Sequence, residues 1–114
     1  MDLIEISSPA FDVEISLAYA TADNFTGVPV YNNPVCYLHG EAAEALGRAI
    51  DAARELGYRV RIFDAFRPTE AQWTLWNHTP DPDFLADPRR GSPHSRGVAI
   101  DLTLIDEAGN ALEM

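Results

Sequence analysis

Gly91-Ser92-Pro93-His94-Ser95-Arg96-Gly97-Val98-Ala99-Ile100-Asp101-Leu102-Thr103-Leu104 is the stretch from which the rest of the chain is read. Its first half, with Gly, Ser and Pro together, has the composition of a turn-rich loop; its second half is an apolar run that reads as a buried strand. His94 is the last polar ring before Gly97, and Asp101 is the one charge inside the run from Val98 to Leu104. A lone carboxylate in an apolar strand costs on the order of several kcal/mol unless it is paired or meets a cation. Asp101 is therefore expected to be buried and to have a partner. Gly97 lets the backbone turn tightly enough to fold His94 back over the strand that carries Asp101.

Two partners stay open on these residues alone. A neutral imidazole and a carboxylate are ligands that zinc accepts, and catalytic zinc sites usually have three protein ligands and a water. The alternative is a structural His–Asp hydrogen bond that orders the loop. One His and one Asp are a weak metal signal.

A second strand runs from Tyr58 to Phe66, with Val60 and Ile62 on one face, and stops at Arg67-Pro68, where proline forbids continuation. Thr69, with Gln72 three residues on, has the pattern of a capping box opening a helix near 69–78. Asp64 and Arg67 at the strand end read either as a plain salt bridge or as a guanidinium held rigid by the Pro68 turn and aimed at developing negative charge. Trp73 and Trp76 share one helix face, the usual sign of core or pocket wall.

Upstream, Phe11 to Leu17 alternate apolar and polar, which predicts a strand with Phe11, Val13, Ile15 and Leu17 inward. Ala18 to Leu38 reads as a long irregular loop whose rings, Tyr19, Phe25, Tyr31 and Tyr37, either line a pocket or pin the loop to the body. Glu41 to Leu56 is the clearest helix: Ala42, Ala45, Leu46, Ala49, Ile50, Ala53 and Leu56 recur at three- and four-residue spacing. Gly57 is its C-cap, and Glu41 and Glu44 lie at the positive end of its dipole. After the stretch first quoted, Asp106 to Asn110 reads as a turn, with Ala111 to Met114 returning as a hairpin partner.

The chain has 114 residues, enough for one domain with a modest core. A net charge of −10, from 18 acidic and 8 basic residues, leaves no basic stripe for phosphates and argues against a nucleic-acid partner. The single cysteine, Cys36, permits no internal disulfide and reads as a half-buried small residue. No secretory signal is visible, and no apolar run approaches the ~20 residues needed to cross a bilayer, so a cytoplasmic location and no membrane partner are expected. There is no Gly-rich phosphate loop and no Gly-flanked nucleophilic serine.

Ser92-x-His94-x-x-Gly97-x-Ala99-x-Asp101 resembles the metal-binding signature of the zinc D,D-peptidases related to the D-alanyl-D-alanine dipeptidases of vancomycin resistance. Tyr19-Ala20-Thr21-x-Asp23-Asn24-Phe25-Thr26-Gly27 resembles the N-terminal loop of that dipeptidase subgroup, and Asp64-x-x-Arg67-Pro68 its arginine segment. The resemblance implies that His94 and Asp101 are zinc ligands, and that Arg67 stabilises the oxyanion formed when zinc-activated water attacks the peptide carbonyl. It also implies that Ser92 and Tyr19 lie near the substrate's termini. The activity implied is zinc-dependent hydrolysis of D-alanyl-D-alanine. The rivals are a D,D-carboxypeptidase acting on cell-wall peptides and a non-catalytic module that keeps the fold and binds a peptide or partner. The fold implied is α+β, a small, mainly antiparallel sheet of strands near 11–17, 58–66 and 98–104 with helices packed on it, of the hedgehog/D,D-peptidase type.

The family's site is completed by a Glu-x-x-His-type segment well after the Asp, which supplies the general base and the third ligand. The sequence ends at Met114 without one, and its other histidines, His39 and His78, stand in no such pattern. His39 reads as the residue before a helix start and His78 as a helix end. A fragment or truncated relative, with a second chain as one way to complete the site, is the expectation from this shortfall.

Overall fold

In this computed structural model, which describes residues 3–8, 10–22, 24–31 and 35–112, seven regular elements follow one another. They are β1 (Leu3–Glu5), β2 (Val13–Ile15), β3 (Tyr37–His39), α1 (Gly40–Glu55), β4 (Arg59–Asp64), α2 (Thr69–His78) and β5 (Asp101–Ile105). Single 3-10 turns at Ala18–Ala20 and Pro88–Arg90 punctuate the loops. The architecture is α+β, and none of the described helices is long and apolar enough to cross a membrane.

β4 is the middle strand. Val60, Ile62 and Asp64 alternate inward along it and are buried, while Arg59, Arg61 and Phe63 take the other face. Full burial of Val60 and Ile62 contributes roughly 1.5–3 kcal/mol each. β5 pairs antiparallel on one side, with Val60 opposite Leu104 and Ile62 opposite Leu102. β2 pairs on the other side in parallel, Val13 opposite Val60 and Ile15 opposite Ile62. On the outer face Arg61 reaches Glu14 opposite it at 3.0 Å.

The expected sheet of three strands therefore forms, but it is mixed rather than mainly antiparallel. The cause is the connection. The chain leaves β2, returns through β3 and α1, and enters β4 in the same direction, as strand–helix–strand crossovers do. A separate two-stranded antiparallel ladder, β1 with β3, pairs Leu3 with His39 and Glu5 with Tyr37. Sequence periodicity misses both of these strands, since three residues carry almost no alternation and Tyr37 and Leu38 sit within what reads as loop.

α1 packs on this framework through Ala43, Leu46, Ile50 and Ala53. That stripe overlaps the expected one but is rotated from it: Ala45 and Ala49 are exposed, and Leu56, just past the helix, is 72% exposed. The displaced alanines line a shallow apolar cleft against Val98, Ala99, Ile100 and Leu102. His39 caps the helix, its Nδ1 accepting the Glu41 N–H at 3.4 Å, and Gly57 follows the C-cap at φ +84°. α2 has the expected range, yet Pro68 is its N-cap and the side chain of Gln72 does not turn back to close a capping box. Its buried face is Ala71, Gln72 and Leu75; Trp73 is exposed and Trp76 half-buried, so neither ring is core.

The hairpin after β5 is present. The Asp106 N–H donates to the Asn110 carbonyl, Ile105 bridges to Ala111, and the Leu112 N–H donates to the Leu104 carbonyl at 2.9 Å. Glu113 and Met114 lie outside the described residues.

Gly97 joins the two sheets. Its carbonyl accepts the His39 N–H at 2.8 Å, its φ is +74°, and a Cβ there would lie 3.0 Å from the His39 nitrogen and 3.1 Å from Leu3 Cδ2. Gly109 has φ +85° with nothing near its missing Cβ. Replacing Gly109 by Ala should then cost only the left-handed backbone strain, about 1 kcal/mol. Gly97→Ala adds a backbone collision and should cost roughly 3 kcal/mol. Denaturant midpoints of the two variants check this, and equal losses would contradict it.

Candidate functional site

The site grows from the end of β4. A register irregularity between Ile62 and Asp64 sets Asp64 opposite Asp101, the first residue of β5. Two carboxylates facing each other across a ladder repel, so cations have to answer them. Arg67 and His94 do.

Asp64 is 1% exposed and Arg67 5%. Oδ2 of Asp64 accepts from Arg67 Nε at 3.1 Å and Nη2 at 2.7 Å, and Oδ1 accepts the Tyr31 hydroxyl at 2.6 Å. Arg67 Nη1 donates to Gln72 Oε1 at 2.7 Å, and Gln72 Nε2 donates in turn to the Ala86 carbonyl at 2.7 Å. The Tyr19 ring covers the guanidinium, with Cζ 5.2 Å from its centroid. Of the five guanidinium N–H groups, one on each terminal nitrogen has no protein acceptor among the described residues. The Arg67 side chain is thus a rigid fork with two donors still to give.

His94 is aimed by the backbone. Its Nδ1 lies 2.8 Å from the Ala65 carbonyl, which can only accept, so Nδ1 keeps a proton in either charge state, while Nε2 carries the second proton in the charged ring and a lone pair in the neutral one. Nε2 faces Asp101 Oδ1 at 3.5 Å. The Arg67 N–H donates to the His94 carbonyl at 2.9 Å, and Gly97 N–H closes the turn onto the same oxygen at 3.1 Å. Burial pulls the His94 pKa down, but its bonds to Asp101 and the Ala65 carbonyl raise it further, for a net rise. The same contact with His94 holds Asp101 below the usual carboxylate range.

The structure brings His94 and Asp101 together, with one correction. Asp101 is not buried: its side chain is 54% exposed, because the strand begins at Asp101 rather than at Val98 and the carboxylate stands at its mouth. The buried carboxylate is Asp64. One donor atom from each of Asp64, His94 and Asp101 lies within 4.8 Å of the others. The set, one imidazole nitrogen and carboxylate oxygens, is of the kind zinc takes, and the fixed tautomer of His94 fits a metal ligand.

Ser92 is buried, and its carbonyl accepts the Arg96 N–H in the turn that carries His94. Tyr19 is half-buried; its ring meets Tyr31 and Phe25 edge-on at 6.1 and 6.2 Å, and its carbonyl accepts the N–H groups of Val30 and Tyr31. The loop rings therefore divide the work. Tyr19 and Tyr31 border the cluster, Phe25 packs on His78 and Phe84, and Tyr37 belongs to β3. His39 caps α1 and His78 ends α2, both apart from the cluster. Cys36 is buried and its thiol is pushed up to about 12, first by burial, which holds it in the less reactive thiol form. The sequence marks Tyr31 only as a ring that lines a pocket or pins the loop, and Gln72 only as a capping-box residue. Their contacts with Asp64 and Arg67 depend on tertiary packing, and the Tyr31–Asp64 pair spans 33 positions of sequence.

Comparison with known proteins identifies the family. The model of peptidase family M15, described as D-ala-D-ala dipeptidase, matches residues 1–114. The chain is 47% identical to the D-alanyl-D-alanine dipeptidase of Escherichia coli (strain K12) over 99% of its own length and 58% of that protein's. It is 39% identical to the D-alanyl-D-alanine dipeptidase of Enterococcus faecium and 37% to that of Streptomyces coelicolor, in each case over 75% of this chain and 52% of the relative. The chain thus spans little more than half the length of the relatives it matches. It belongs to the D-Ala-D-Ala dipeptidase family.

The shifts of the pair give a pH dependence. In the metal-free chain the His94 contribution to stability is fully present below about pH 6.5 and is lost as the pH rises through its raised value. The Asp101 contribution is present above about pH 3.9 and is lost as the pH falls through its lowered value. If a divalent metal binds through Nε2 it has to displace any proton there, and its affinity should then rise with pH up to the raised His94 value and level off above it. Competition titrations from about pH 5 to about pH 8 check this, and a flat profile contradicts it.

Proposed function

We propose that this member of the D-Ala-D-Ala dipeptidase family carries part of the centre of a zinc-dependent hydrolase of D-alanyl-D-alanine, with a fold of the hedgehog/D,D-peptidase type. His94 Nε2 and Asp101 would hold the ion, Arg67 would meet the negative charge of the reaction, and Tyr19 and Ser92 would border the substrate's ends. The observation that carries this reading is His94 Nε2 facing Asp101 Oδ1 at 3.5 Å beside a buried arginine that still has donors to give.

When bound, zinc supplies Lewis-acid polarisation of the scissile carbonyl and lowers the pKa of a water. The chain's own part is positioning. Ala65 fixes the His94 tautomer, so the metal-facing nitrogen needs no reorientation. Asp64 and Gln72 fix Arg67 from two sides, so its two unused N–H groups are already in place when charge develops on the substrate oxygen. Binding strength used there acts on the transition state rather than on the ground state. The Tyr19 ring keeps water from one face of the guanidinium and strengthens the field of Arg67.

Asp64 is hydrogen-bonded at both oxygens and is not free to act as general base. We infer that the base and a further zinc ligand come from outside the described cluster, from further polypeptide of the kind the longer relatives possess or from a second chain.

Zinc stoichiometry should fall to background in His94→Ala with the fold intact by circular dichroism. Unchanged stoichiometry would remove His94 from the site. In a preparation that hydrolyses D-alanyl-D-alanine, Arg67→Lys keeps the charge and loses the fork. It should lower kcat by about two orders of magnitude with KM within about threefold. Unchanged kcat would exclude Arg67 from the reaction.

A further inference from the structure

Asp64 lies within reach of two claims. One of its oxygens belongs to the group of donor atoms lying within 4.8 Å of one another, and its Oδ2 holds Arg67 through two hydrogen bonds. Donors around a four-coordinate zinc stand about 2.0–2.1 Å from the ion and so roughly 3.3 Å from each other. A modest movement of a free carboxylate would bring it into the shell and draw it from Arg67. Oδ1, with no bond to Arg67, is the oxygen most available for this. The Tyr31 hydroxyl donates to it at 2.6 Å.

The placement of Tyr31 is over-determined. The N–H groups of Val30 and Tyr31 both donate to the Tyr19 carbonyl, at 2.7 and 2.8 Å, and the Tyr19 and Tyr31 rings meet edge-on. Tyr19 in turn covers the Arg67 guanidinium. One loop therefore delivers a hydroxyl to the carboxylate and a ring to the cation it pairs with, while Gln72, anchored on Ala86, closes the third side.

We propose that Tyr31 is a positioning residue whose hydroxyl commits Asp64 to Arg67 and withholds it from the metal. The proposal rests on the reading of His94, Asp101 and Arg67 given above, in which the further ligand comes from outside the described cluster, and it adds what keeps Asp64 from taking that place. Removing the hydroxyl frees Oδ1, loosens the Asp64–Arg67 pair and lets Asp64 join the donors.

The test uses the whole chain, labelled with 15N, as wild type, Tyr31→Phe, the isosteric Asp64→Asn, and the double variant. Three quantities are followed: hydrogen exchange of the Arg67 Nε–H by NMR, affinity for Co2+ as the metal probe, and melting temperature. In Tyr31→Phe the Nε–H should exchange about tenfold faster or more, beyond any change in global stability. Its Co2+ affinity should rise about threefold or more, a gain that the double variant abolishes. Asp64→Asn alone should lower Co2+ affinity by no more than about 100-fold, the range of an outer-shell partner that loses its charge. A lower melting temperature with wild-type Nε–H exchange and Co2+ affinity would make Tyr31 merely structural and overturn the proposal. So would a fall of well over about 100-fold in Co2+ affinity for Asp64→Asn, beyond what an outer-shell partner costs. A wild-type chain that binds no Co2+ would sink the zinc reading instead, and the Nε–H exchange of Tyr31→Phe would still decide the role of Tyr31.

Discussion

Two carboxylates, Asp64 and Asp101, stand opposite each other at the ends of neighbouring strands, and the site is built from what makes that tolerable. The inner one is fully buried and takes a buried guanidinium; the outer one is open to solvent and takes an imidazole. A buried ion pair adds little net stability, because desolvation consumes most of the attraction, but removing one partner costs roughly 3–5 kcal/mol. Such a pair constrains much more than it stabilises. Here it obliges the chain to bring Tyr31, Gln72 and Tyr19 to the end of β4, where they satisfy what the pair leaves over.

The fold supplies that end of β4 with three neighbours. The crossover through α1 sets β2 parallel on one edge, β5 lies antiparallel on the other, and the β3–α1 junction meets the His94 loop through Gly97. The Phe66 N–H donates to the Tyr37 carbonyl and the Arg67 N–H to the His94 carbonyl, so successive residues of the strand exit tie to both sides. The arginine and histidine are thus fixed relative to each other by backbone, before any side chain is considered. This is the preorganisation that charge-stabilising sites need.

Much of this was legible in the sequence, and the gaps have physical causes. The α2 range and the centres of β2 and β4 follow from proline, turn residues and alternation, whereas the strand expected at 98–104 begins only at Asp101. The α1 range was also clear, but its inward face was not: Ala42, Ala43, Ala45, Ala49, Ala52 and Ala53 supply small apolar residues all round, and only Leu46, Ile50 and Ala53 lie on both the expected and the buried stripe. The desolvation argument chose the wrong carboxylate. An apolar run around Asp101 predicted burial, yet a residue at a strand's first position can point to solvent, whereas Asp64 is enclosed by elements far away in sequence. The His94–Asp101 proximity followed from Gly97, which the structure holds at positive φ against the His39 backbone. The parallel pairing and the two short strands of the outer ladder depend on chain crossing and tertiary contact, which local pattern does not carry.

The most direct test of the account is a zinc-loaded crystal structure of the chain, with the ion located by anomalous scattering at the zinc edge. The account predicts zinc bonded to His94 Nε2 and an Asp101 oxygen, with Asp64 still on Arg67 and the Tyr31 hydroxyl. Zinc on His39 or His78, or a His94 ring turned away from the Ala65 carbonyl, would contradict it.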